Sequence, residues 1–178
     1  SCTALIKNII NETNSCTITL APLSKFPLVR DLIVDRTSMF DALKNTSAWI
    51  DVKNSHQNGE AQIVIKPQEQ DVMYKLSTCM TCGCCLEACP QVNENSPFEG
   101  AAVISQVRLF NLHPLGKKDA PKRLHAMMQE SGITGCGNAQ NCVKVCPKNI
   151  PLTESIAIIF RDTLKQSLYD VFHARVEE

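Results

Sequence analysis

The stretch CMTCGCCLEACP places cysteines at 79, 82, 85 and 89 and a proline at 90, a C-x2-C-x2-C-x3-C-P run. Moving each position on by 57 residues gives 136, 139, 142, 146 and 147, and the stretch CGNAQNCVKVCP fills all of them in kind except one, with Ala139 where a second cysteine would stand. Nothing else in the chain constrains its fold as much. Thiols three and four residues apart crowd a short loop around one object and leave little freedom for the backbone between them. The chain has ten cysteines in 178 residues, and seven of them keep this one spacing. Either disulfides or metal must account for such a density. The opening SCTALIKNII has no charged segment followed by a long apolar one, so export is not expected and disulfides are disfavoured.

The spacing is that of the bacterial ferredoxin run, in which the last cysteine of each run serves the cluster held by the other. Applied here, Cys79, Cys82, Cys85 and Cys146 supply four thiolates for a [4Fe-4S] cluster. Cys89, Cys136 and Cys142 supply only three. A cubane with one unligated iron tends to lose it, so the second site is expected to hold a [3Fe-4S] cluster with Ala139 marking the missing vertex. Zinc is the rival metal, because paired C-x2-C units also build structural zinc sites. Seven ligands divide badly into tetrahedral sites, however, and the proline-terminated repeat is not a zinc-ribbon pattern. Cys84 is out of phase, with Asn141 at its equivalent position, and reads as a packing residue; Cys16, in a strand-like run, reads as a small buried hydrophobe.

Around these runs the chain reads as mainly α. Thr3–Ile10 and Cys16–Leu20 are β-like, separated by a turn-prone Asn11–Ser15, and look like the remnant of a β domain over residues 1–25. Residues 26–66 read as a helix and linker, with Pro27 as a possible start and Val29, Leu32, Ile33, Phe40 and Leu43 as a core-facing stripe; residues 51–66 are polar and irregular and mark a boundary. Residues 67–178 form the α-helical dicluster region. Helices are expected from Pro67 into Cys79, from Pro97 to Leu112 behind the capping-box sequence Ser96-Pro97-Phe98-Glu99, from Pro121 to Glu130, and from Thr153 onward with Ile156, Ile159, Phe160, Leu164, Leu168 and Phe172 on one side.

Eighteen Lys and Arg balance eighteen Asp and Glu, so no basic field exists to hold nucleic acid. The longest apolar stretches, such as Ile156–Phe160, fall far short of the about 20 residues a bilayer span needs. Any membrane contact is therefore expected to be peripheral or through a partner.

Taken together, SCTAL, FPLVRDLIVDR, CMTCGCCLEACP, QVRLFNLHP and CGNAQNCVKVCPKNIPLTESI resemble the iron-sulfur subunit of succinate dehydrogenase and the related fumarate reductase, nearest to the type of menaquinone-using bacteria. The resemblance implies an electron-transfer subunit with no substrate chemistry of its own, lying on the cytoplasmic face of the bacterial cell membrane. Its implied partners are an FAD-containing flavoprotein and a membrane anchor with haem b and menaquinone. The resemblance also implies a plant-type [2Fe-2S] domain upstream, with Cys2 as its fourth ligand and the other three ligands absent from this chain. Ubiquinone-using members carry tryptophan soon after the first Cys-Pro and histidine after the first cysteine of the second run. Here those stretches are Gln91-Val92-Asn93-Glu94 and Gly137, so electrons are expected to leave toward a haem rather than a quinone pocket at the cluster. His113 reads as a helix-end residue. The competing readings are a fumarate reductase subunit, a free-standing 3Fe/4Fe ferredoxin, and a zinc-bearing structural module.

Overall fold

The computed structural model describes residues 6–13, 17–51 and 64–174. It is mainly helical, as expected, with one small antiparallel sheet early in the chain. Helix α1 spans Ile6–Thr13, and strands β1 (Leu28–Arg30) and β2 (Ile33–Val34) form the sheet. Helices α2 (Thr37–Asn45), α3 (Pro67–Ser77), α4 (Cys84–Glu87) and α5 (Ala101–Leu112) follow. A 3-10 stretch Pro114–Asp119 leads into α6 (Ala120–Met127), and a second, Ile133–Gly135, precedes α7 (Asn141–Val145) and the long α8 (Leu152–Ala174).

Helix α5 is the axis of the molecule. Its sequence AAVISQVRLFNL is apolar on nearly every side, the pattern of a helix wrapped by neighbours, and seven of its residues are buried. Helices α2, α3, α4, α6 and α8 all pack against it. Helix α8 turns Leu152, Ser155, Ile159 and Thr163 inward, a 3-4-4 spacing that makes one helix face. Across that seam the buried Arg108 donates to Glu154 Oε1 at 2.7 Å and to Ser155 Oγ at 3.2 Å.

The segment before α3 joins the same core. Phe26 and Met39 pack with Leu86 and Ala102, while Ala42 packs in the main cluster with Val103, Ile104 and Met127. Arg123, only 1% exposed, clamps this segment to the helices: Nε donates to the Ser47 carbonyl at 2.9 Å, Nη2 to the Trp49 carbonyl at 2.8 Å, and Nη1 to the Gly116 carbonyl at 2.8 Å. A buried guanidinium is tolerated because carbonyl dipoles meet its fork of donors.

Several expectations change. Residues 6–10, read as strand, are helical in α1; no described strand lies beside them, and a helix satisfies their backbone groups locally. Residues 17–20 have no regular structure, and Cys2 and Cys16 lie outside the described residues. The stripe from Val29 to Leu43 is not one helix. Asp31 adopts φ 51° between two short strands, and the Asp35 carboxylate accepts from Thr37 N at 2.8 Å, starting α2 only there. Val29, Leu32, Ile33 and Phe40 consequently face outward, and Met39 and Ala42 reach the core instead. Ser96 spends its hydroxyl on Phe98 N at 3.3 Å, so the expected capping box gives way to a start at Ala101 behind Gly100. Along α8, Ile159 is buried but Phe160, Leu164, Leu168 and Phe172, spaced four apart, share a face turned away from the packed one and are exposed.

Candidate metal centres

Both cysteine runs are built as a loop followed by a short helix. After α3 the chain turns through Thr81 at φ 48° and Gly83 at φ 85°, then enters α4 with Cys84 and Cys85. A Cβ at 83 would stand 3.0 Å from the Phe26 ring, so glycine there serves both the left-handed turn and the close approach of the preceding segment. The second run repeats the device, with Asn138 at φ 51° and Gln140 at φ 58° ahead of α7, which carries the buried Cys142. Helices α4 and α7 pack on each other, and Asn141 Nδ2 donates to the Ala88 carbonyl at 3.1 Å across the pair.

Two cavities result, back to back at the start of α5. The first is lined by Cys79, Cys82, Cys85 and Cys146 with Met39 and Ala102. The second is lined by Cys89, Cys136 and Cys142 with Ala101, Gln91 and Ala139. Thus Cys146 of the second run stands with the first-run thiols, and Cys89 of the first run stands with the second-run thiols. Ala139 is exposed at the second cavity, and Cys84 lines neither. His113 ends α5, its Nδ1 accepting from Leu115 N at 3.3 Å, and lines neither cavity.

The electrostatics act mostly within each group of thiols, with Cys142 of the second also reaching Cys85 of the first. Burial, reinforced by Cys79, Cys82, Cys142 and Cys146, pushes the Cys85 thiol up to about 12. Burial likewise raises Cys142, with Cys89 and Cys136 adding to it. Burial raises Cys79 too, and the Thr81 backbone N–H and the Gln106 side chain act against it. Thiols so placed resist ionisation alone and give up their protons to a cation that replaces them. Soft sulfur donors arranged four and three around two partly open clefts fit polynuclear iron-sulfur centres. Among the described residues no three His, Cys, Asp or Glu side chains converge where a single ion would sit.

What the sequence did not reveal is the strap that holds the first loop in place. Ser24 N, Ser24 Oγ and Lys25 N all donate to the Glu87 carboxylate, at 3.0, 2.6 and 3.1 Å. Lys25 Nζ donates to the Cys89 carbonyl, and Arg36 Nη1 donates to the Thr81 carbonyl at 2.7 Å. These partners lie 45 to 64 residues apart in the chain, a separation that no local pattern encodes.

Comparison with known proteins agrees with the architecture. A model of the 4Fe-4S dicluster domain matches residues 75–150. A succinate dehydrogenase iron-sulfur subunit of Bacillus subtilis is 50% identical over 97% of this chain and 66% of its own length. The chain belongs to the succinate dehydrogenase and fumarate reductase iron-sulfur subunit family. A fumarate reductase iron-sulfur subunit of Wolinella succinogenes is 32% identical over 81% of this chain and 61% of its own length, and one of Escherichia coli is 31% identical over 72% and 52%. The chain therefore spans between about half and about two thirds of these relatives. Iron-sulfur cluster binding is the property that the family and the thiol-lined cavities share.

Proposed function

We propose that this chain is the electron-transfer part of a succinate:menaquinone oxidoreductase. Cys79, Cys82, Cys85 and Cys146 hold a [4Fe-4S] centre, and Cys89, Cys136 and Cys142 hold a [3Fe-4S] centre; Cys2 belongs to a [2Fe-2S] centre completed elsewhere. One observation carries the reading: the thiols line two adjoining cavities in a four-and-three division, with Ala139 at the cavity that has three. When bound, each centre accepts and passes on one electron at a time. The chain's own residues hold and tune these centres. Apolar walls from Met39, Ile150 and Leu152 keep water from the first, and Ile150 N donates to Cys146 Sγ at 3.5 Å, stabilising negative charge on that sulfur. Ala101 and Ala102, consecutive on α5, line the second and first cavities, so this helix start would stand between the two centres.

Electrons enter from an FAD flavoprotein and leave to a membrane anchor carrying haem b and menaquinone, with the chain peripheral on the cytoplasmic face. No described helix is long and apolar enough to cross a membrane, consistent with contact through the anchor. The succinate dehydrogenase reading is put first on the 50% identity to the Bacillus subtilis subunit, with a fumarate reductase subunit as its alternative.

Anaerobic purification followed by iron and acid-labile sulfide analysis with EPR tests the site. Roughly seven irons per chain in the dicluster region and an oxidised [3Fe-4S] signal are expected. Zinc in place of iron, or no [3Fe-4S] signal in an iron-replete sample, removes the proposal.

A further inference from the structure

The Gln91 side chain leaves the first run and lies over the second. A Cβ built on Gly137 would meet Gln91 Nε2 at 2.6 Å, Cδ at 3.2 Å and Cγ at 3.4 Å, so the length of the side chain crosses the space that any larger residue at 137 would fill. Both residues line the second cavity, together with Ala139. Other polar side chains there are engaged or face solvent: Asn141 is committed to the Ala88 carbonyl, and Asn138 and Gln140 are exposed. Gln91 and Thr153 remain, both half-buried and without a hydrogen-bond partner among the described residues. Of these two, only Gln91 lies across the face of a glycine where a larger residue would displace it. The Gln91 amide, not committed to a protein partner, is free to donate to a group held in the cavity.

We propose that Gln91 is the tuning residue of the second centre: its amide N–H donates to the iron-sulfur group bound there, and glycine at 137 is what admits it. This rests on the reading of the second cavity as a cluster site. Reduction adds negative charge to that group, so a donor aimed at it holds the reduced form better than the oxidised form and raises the potential. Gln91 acts as a positioning and tuning residue, not a ligand, and its contribution belongs to the centre's potential and not to its assembly.

The full chain, purified anaerobically with its centres loaded, is titrated with EPR detection of the oxidised [3Fe-4S] signal, as parent, Gln91→Leu, Gly137→Ala and the double variant. Leucine keeps the bulk and loses the donor; alanine at 137 pushes the amide aside. Each single change is expected to lower the reduced-to-oxidised ratio at the parent's midpoint about tenfold, a shift of about 59 mV downward for a one-electron couple. The double variant is expected to go no further, because both changes remove one interaction. Unshifted midpoints with the signal at full strength overturn the inference, as do additive shifts. Loss of the centre in Gln91→Leu overturns it too, by assigning Gln91 to assembly. A parent without the [3Fe-4S] signal overturns the cluster assignment beneath it, so the two failures are told apart.

Discussion

Replacing Gly100 with alanine tests how rigidly the first cysteine helix is held. Gly100 sits at φ 93° and ψ 167°, in a region open essentially to glycine alone, and occupying it with alanine costs about 1–3 kcal/mol. The added methyl would also stand 2.9 Å from Leu86 Cγ and 3.1 Å from Leu86 Cδ1. Leu86 is buried in α4, between Cys85 and Cys89, and cannot retreat without moving that helix. Overpacking of this kind costs a further 1–3 kcal/mol or so. The lost chain freedom of alanine in the unfolded state returns only about 0.4–1 kcal/mol. The net destabilisation is therefore about 1–5.6 kcal/mol, which for a chain of this size lowers Tm by about 2–22 °C. Anaerobic thermal unfolding followed by circular dichroism measures it, and EPR spin counts on the same samples report whether the thiols of α4 keep their metal. Leu86→Ala leaves a cavity and is destabilising by itself, so the comparison is made within that background, where adding Gly100→Ala should cost the backbone part alone. A Tm within about 2 °C of the parent would refute the argument.

In the first run, Cys84→Val should leave iron content and both EPR signals unchanged, whereas Cys85→Val should remove the [4Fe-4S] signal and about four irons per chain; equal damage from the two would reassign the ligands. Ala139→Cys should convert the [3Fe-4S] signal to that of a [4Fe-4S] centre and add about one iron, read by EPR and metal analysis on protein whose cysteine is verified by mass spectrometry. Burial opposes ionisation of Glu87, but hydrogen bonds from Ser24 and Lys25 outweigh it and hold the carboxyl below its ordinary value of 4.5. A depressed carboxyl stabilises the fold above its unfolded value and loses that contribution as pH falls through the folded one. Glu87→Gln should accordingly cost about 1 kcal/mol in denaturant unfolding at pH 7, and the difference from the parent should shrink once the pH falls below 4.

The grouping of the cysteines was legible because it is arithmetic on a repeat: the first three positions of each run line one cavity, the last cysteine of each run lines the other run's, and Ala139 stands at the one with three thiols. Helix α3 was legible from Pro67 at its first turn and its run into Cys79. The hairpin at Leu28–Val34 was not. Its apolar residues satisfy a helical spacing on paper, and only the left-handed Asp31 and the Asp35 contact to Thr37 break the helix there. The start of α5 was misplaced by the same cause, since Ser96 closes a local turn that looks like a cap until Gly100 is seen. The strap from Ser24 and Lys25 to Glu87, and the crossing of Gln91 over Gly137, depend on contacts between distant parts of the chain and leave no periodic trace.

The first cavity has one wall made of residues 79–85 and the opposite wall made of residues 146–152. A ribosome delivers these walls in order. At roughly 5–20 residues per second, roughly 3–12 s pass between the two. Throughout that interval Cys79, Cys82 and Cys85 are made but have no enclosure, and the second cavity is equally open because Cys89 waits for Cys136 and Cys142. Both pockets are therefore closed almost together, by the one stretch from Cys136 to Leu152, and a chain cut short just before Cys146 lacks that side of the first pocket while keeping three of its four thiols.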